Sequence, residues 1–179
     1  METLRQVIRA ICGAALALAA VSALAQKEGS WVARDFRLHT GEVMSDLRLN
    51  YTTLGDPKND AVLVLHGTTG SGTGMLGANF GGELFGPGQP LDAARYFIIL
   101  PDALGHGKSS KPCDGLRAKF PRYNYDDMVL AQHRLVTEGL GLQRLRLVDA
   151  APSRRFDPRR SRAEERRHME AWLATVPRR

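Results

Sequence analysis

Apolar and polar residues alternate along two early segments, 31–39 and 43–53, where Val32, Phe36 and Leu38, then Leu47, Leu49 and Tyr51, fall on one side. Thr40 and Gly41 lie between them, so the pattern predicts a half-exposed antiparallel pair joined by a turn. Segments 61–65 and 96–100 are apolar without interruption. That is the pattern of central parallel strands covered by helices. Between 125 and 139 the spacing becomes helical, with Met128, Ala131, Gln132 and Leu135 on one stripe, Asn124 as N-cap, and Gly139 and Gly141 as stops. Segment 144–148 reads as a further short strand. The order of strands and helix predicts an α/β sheet, antiparallel at first and mostly parallel afterwards. Sheets of this kind place their sites in loops beyond the carboxyl ends of the strands. Those loops begin at His66, Asp102 and Asp149.

The termini read differently from the body. Arg5 and Arg9 precede an apolar run over 10–21, and Ala23-Leu24-Ala25 follows it. This is the make-up of an export signal, shorter than the roughly 20 apolar residues a spanning helix needs. Residues 1–25 are therefore expected to be removed, leaving an exported chain, periplasmic or secreted and free of the membrane; the alternative is an uncleaved anchor helix. Cleavage takes Cys12 away and leaves Cys113 alone, which excludes an internal disulfide. The formal charge of +6 is uneven: 26–148 carry 14 Lys or Arg against 13 acids, while 149–179 carry 9 Arg against 5 acids. The basic character belongs to the tail, which has no aromatic interleaving, so no nucleic-acid partner is expected. Within the tail, Ser161-Arg162-Ala163-Glu164 has capping-box spacing, and Met169, Trp172, Leu173 and Val176 follow at helical intervals. This fits a helix over 162–175 or a frayed basic extension. The chain thus divides into 1–25, a domain over 26–148 and a divergent Arg-rich tail over 149–179. At 43% apolar and 25% charged residues the whole suits one globular unit and excludes a collagen-like or disordered chain.

Two loops have residues suited to chemistry. His66-Gly67-Thr68-Thr69-Gly70-Ser71-Gly72 ends a buried strand in small residues. It can expose backbone N–H groups where an oxyanion would develop, or be an ordinary flexible turn. Pro101 to Ser110 turns sharply on its glycines, with Asp102 and Ser109 placed to bond the turn's own backbone. Other patterns fail. Gly72 to Gly77 satisfies G-x-G-x-x-G but begins seven residues after its strand, and Gly107-Lys108-Ser109 lacks the earlier glycine of a phosphate loop. Asp126 and Asp127 open a helix on different faces, which suits its dipole better than paired acid/base work. No cluster has metal-ligand spacing, so neither cofactor nor metal is expected.

Together the loops are similar to the α/β-hydrolase superfamily. The segments 83–92, 95–102 and 125–128 (Glu-Leu-Phe-Gly-Pro-Gly-Gln-Pro-Leu-Asp, Arg-Tyr-Phe-Ile-Ile-Leu-Pro-Asp, Tyr-Asp-Asp-Met) resemble its homoserine O-acetyltransferase-like branch over roughly 47–148. The resemblance implies a partial α/β-hydrolase fold, with the Thr68 backbone N–H as the first half of an oxyanion hole and His66 and Gly67 shaping its loop. It makes Asp102, Gly105, His106, Gly107 and Ser109 a structural turn. It also implies an acyl-group hydrolase or acyltransferase that acts on a small acyl ester through a serine on a strained G-x-S-x-G elbow. After 144–148 this chain instead reads Asp149-Ala150-Ala151-Pro152-Ser153-Arg154-Arg155, with no glycine from 142 to 179. The elbow cannot be built without glycine, so no nucleophile is assigned and the chain is expected to be inactive. The break after Val148 fits a truncated gene, a frame-shifted gene or a replacement tail. Two further expectations follow: self-association through an open sheet edge, and, as an alternative function, a non-catalytic interaction module with a basic tail.

Overall fold

The computed structural model describes residues 26–150. The expected signal over 1–25 and the tail beyond 150, with its helix over 162–175, lie outside the described residues.

The alternating segments form the predicted antiparallel pair. Strand β1 (Lys27–Arg37) faces β2 (Val43–Leu54), with Trp31 opposite Leu49. The turn between them closes on Leu38, whose carbonyl accepts the Gly41 N–H at 2.9 Å. Gly41 has φ +87°, a conformation glycine adopts without steric cost. The far end of β2 continues the sheet by pairing antiparallel with β4 (Tyr96–Pro101), Tyr51 opposite Pro101. Strand β3 (Asp60–Leu65) lies parallel to β4, and β5 (Leu147–Ala150) parallel to β3. The order is β1-β2-β4-β3-β5, so the two unbroken apolar segments occupy the middle.

Only one face is covered as the pattern predicts. Ala61, Leu63, Phe97 and Ile99 pack beneath Val136, and Ala33, Phe36, Leu47 and Leu49 beneath Ala131 and Leu135, all from the helical segment after β4. On the other face Leu54, Val62, Val64, Ile98 and Leu100 meet Met75, Phe85, Leu91 and Ala93. These come from a 3₁₀ turn (Thr73–Leu76), a four-residue helix α1 (Gly81–Leu84) and irregular chain. Glycine at 72, 74, 77, 81, 82, 86 and 88 disfavours a longer helix there. Met75 and Phe85 still bury their side chains, each contributing on the order of 2 kcal/mol.

Helix α2 (Tyr125–Arg134) begins at the expected cap: Asn124 accepts the Asp127 N–H at 3.1 Å, and the Asp127 carboxylate accepts the Asn124 N–H at 3.0 Å. Its last turn widens to a π turn, Leu135–Gly139, with Gly139 against the Trp31 indole, where a Cβ would come within 2.9 Å of the ring. Strand β5 starts at Leu147 rather than at 144. Leu142 and Leu145 first pack against the core beneath Val136, so the chain straightens only after Arg146 donates its N–H to the Ala61 carbonyl at 2.7 Å.

Candidate active-site loops

The loops after β3 and β4 meet at the carboxyl ends of the parallel strands. His66 leaves β3 and directs its ring across to the next loop, where Nε2 accepts the Ala103 N–H at 2.9 Å. Because Nε2 is an acceptor, the proton of the neutral ring sits on Nδ1, which donates to the Gly67 carbonyl at 2.8 Å. Burial pushes the His66 pKa below its ordinary 6.5, opposed by the Gly67 bond; nearby His106, with ring centroids 5.3 Å apart, lowers it further, and Asp102 opposes. Both ring nitrogens are committed to the backbone. His66 is thus a brace for two loops and has no lone pair left to act as a base.

Beyond it the chain makes a β-turn in which Gly70 donates its N–H to the Gly67 carbonyl at 3.0 Å. Thr68 and Thr69 are its exposed central residues, and Thr69 has φ +67°. A β-branched residue held in the left-handed region costs on the order of 1–3 kcal/mol, and such strain gathers where a loop has a task. Gly72 then passes directly over β4: a Cβ on it would lie 2.2 Å from the Leu100 carbonyl oxygen. This close approach explains the glycine without any nucleotide.

Asp102 holds the second loop and reaches into the first. Its carboxylate, buried at 3% exposure, accepts the Lys108 N–H at 2.7 Å and the Gly72 N–H at 2.7 Å. Asn50 of β2 adds its Nδ2 at 3.3 Å. Ser109 is fully buried; its hydroxyl donates to the Asp102 carbonyl at 2.7 Å and accepts the Asn50 N–H at 2.9 Å. Gly107 has φ +51° and lies where a Cβ would be 2.2 Å from the Asp102 carboxyl carbon. The structural turn expected over 102–109 is therefore present, and it extends further than expected by fastening the 66–72 loop.

His66, Gly67 and Thr68 stand together at the edge of β3, whereas the segment after β5, with Ser153, lies outside the described residues. Among the described residues no three His, Cys, Asp or Glu side chains are grouped to hold a metal. Sequence reasoning missed two contributors. Asn50 is a buried polar residue in mid-strand, a signal that could have been followed. The other is His39, whose Nδ1 and backbone N–H both meet the Asp127 carboxylate, at 2.6 and 2.8 Å. Asp127 thus does more than compensate the helix dipole.

This sheet order, with glycine-rich loops tied together at the strands' carboxyl ends, defines part of an α/β-hydrolase fold. The chain is homoserine O-acetyltransferase-like in sequence. It is 36% identical over 118 residues to the homoserine O-acetyltransferase of Thermobifida fusca, a match covering 56% of this chain and 31% of that protein. The homoserine O-acetyltransferase of Methanohalophilus mahii is 32% identical over 127 residues, covering 62% and 26%. The chain therefore spans less than a third of the length of either relative. Among solved structures, an acetylester hydrolase from Corynebacterium glutamicum superposes with TM-score 0.60 and 27% identity, over 69% of this chain and 36% of that one. A homoserine O-acetyltransferase from Staphylococcus aureus has TM-score 0.61 at 22% identity, over 71% and 39%, which shows the fold. No family model matches the chain.

Proposed function

We propose that residues 26–150 are the oxyanion-loop part of an acyl-group hydrolase or acyltransferase domain for small acyl esters, and that this chain does not itself perform the covalent step. The observation that carries the reading is the His66–Gly72 loop, pinned at one end by Ala103 and at the other by Asp102, with a strained turn between. A rigid turn at a strand's carboxyl end keeps backbone N–H groups aimed before substrate arrives, which is what stabilising a developing oxyanion requires. The Thr68 N–H is the donor in this reading. Nucleophilic attack needs a serine on a glycine-flanked elbow, and Asp149 to Arg155 contain none.

The test is p-nitrophenyl acetate turnover with fluorophosphonate labelling of the full chain. Neither a burst of nitrophenolate nor a covalent adduct is expected. An adduct on Ser153 would refute inactivity. The nucleotide sequence past codon 148 tests the acyl-transfer part: a G-x-S-x-G segment in another frame supports it, and its lack in all three frames counts against it.

The concentration of nine arginines in 149–179 favours a second reading, a non-catalytic module whose tail meets anionic partners. Salt-dependent retention on heparin, lost on deleting 149–179, would support it. The export reading of 1–25 is tested by the size of the chain recovered outside the cytoplasm. Self-association through β5, the outermost strand on its side of the sheet among the described residues and with Leu147 45% exposed, is tested by the concentration dependence of the sedimentation coefficient.

A further inference from the structure

At the opposite end of the sheet, the turn entering β3 (57–61) and the connection entering β5 (141–146) enclose an open cavity of about 470 Å³. Its apolar lining comes from Pro57, Ala61, Leu142 and Leu145, and its polar lining includes Lys58, Arg144, Arg146 and Asp60. The Arg146 N–H bonded to the Ala61 carbonyl at 2.7 Å joins the two walls. Three cations and one carboxylate leave a net +2 here, while 14 basic and 13 acidic residues leave +1 for the whole of 26–148. Arg144 forms a long ion pair with Asp60, at 3.7 Å. Among the described residues neither Lys58 nor Arg146 is paired with a carboxylate.

Unpaired positive charge gathered in a concavity raises the local concentration of anions. Guanidinium groups bind phosphate oxygens bidentately, and a phosphate monoester carries about −1.5 to −2 charges at pH 7, against −1 for a carboxylate. The monoester matches the +2 of the cavity, and the apolar lining suits an organic body. A volume of this size falls in the range of small-molecule sites, ~300–1,000 Å³. We propose that this cavity binds a small organic phosphate monoester, at a site separate from the acyl-transfer loops.

The test is a titration of the full-length ¹⁵N-labelled chain with phenyl phosphate at constant ionic strength, followed by amide chemical shifts. The expected result is saturable change confined to 58–61 and 142–146. The affinity should fall at least tenfold in Arg144→Ala/Arg146→Ala and, as a separate variant, in Lys58→Glu; these are exposed side chains whose loss leaves the other cross-peaks in place. Benzoate should bind at least tenfold more weakly. Shifts that do not saturate, that centre on the arginines of 151–179, or that persist unchanged in both variants would overturn the site. Equal binding of benzoate would overturn the phosphate assignment.

Discussion

The imidazole of His66 accepts the backbone N–H of Ala103 at 2.9 Å and so joins the ends of two adjacent parallel strands by one side chain. The bond requires an unprotonated Nε2. The folded state holds the His66 pKa below 6.5, so an unfolded chain takes up this proton first as pH falls. Protonation then favours unfolding: the ring's contribution is complete above about pH 6.5 and is lost below it, towards the lower folded value. Urea unfolding at pH 7.5 and 5.5 should show a larger loss for the native chain than for His66→Gln, whose amide oxygen can accept the same N–H at either pH. Identical losses in the two would remove this role.

Asp102→Asn is expected to lower stability by about 3 kcal/mol, because a buried carboxylate that accepts two backbone N–H groups at 2.7 Å becomes an amide able to accept only one well. Faster amide exchange at both Gly72 and Lys108 is the accompanying sign. Faster exchange at Lys108 alone would show that Asp102 serves its own turn and not the 66–72 loop.

What could be read in the sequence was whatever depends on neighbours along the chain. The antiparallel pair over 31–53, unbroken apolar strands at 61–65 and 96–100, and the Asn124 cap are all local, and each is found. Val32 is the exception, because the period breaks at Asp35 (φ +48°) and Ala33, not Val32, shares the core face with Phe36. The covering of the second face was not legible. Met75 and Phe85 reach the sheet from short turns, and no period marks an anchor that a glycine-rich segment delivers by its path. Nor was the site's bracing, since the Gly72 to Asp102 and Ala103 to His66 bonds cross 30 and 37 residues and depend on two loops adopting matched shapes. Glycine at 72 and 107 signalled close approach, but only the fold names the Leu100 carbonyl and the Asp102 carboxylate as what is approached.

Thr52 of β2 is buried at 1% exposure, and its Oγ1 has no hydrogen-bond partner among the described residues. A hydroxyl left unbonded in the interior costs on the order of 1–3 kcal/mol. Thr52→Val keeps the branched shape and removes the oxygen, so it is expected to raise stability by about 1 kcal/mol in urea unfolding. A loss of stability instead would show that the hydroxyl is bonded in solution, through water.

Asp127 ties together parts of the chain that are 88 residues apart. Its carboxylate accepts the Asn124 N–H, closing the capping box of α2, and also receives the backbone N–H and Nδ1 of His39 at the end of the β1–β2 hairpin. Removing it should undo both functions. Loss of a helix cap costs about 1 kcal/mol. The His39 bonds add less than buried ones would, because that side chain is 41% exposed and water can replace the acceptor. Asp127→Ala should therefore lower stability by about 2 kcal/mol. In a double-mutant cycle with His39→Ala, the coupling should be about 0.5–1 kcal/mol. A cycle that closes at zero would mean that the helix and the hairpin are held by their apolar contacts alone, with Asp127 acting only as a cap.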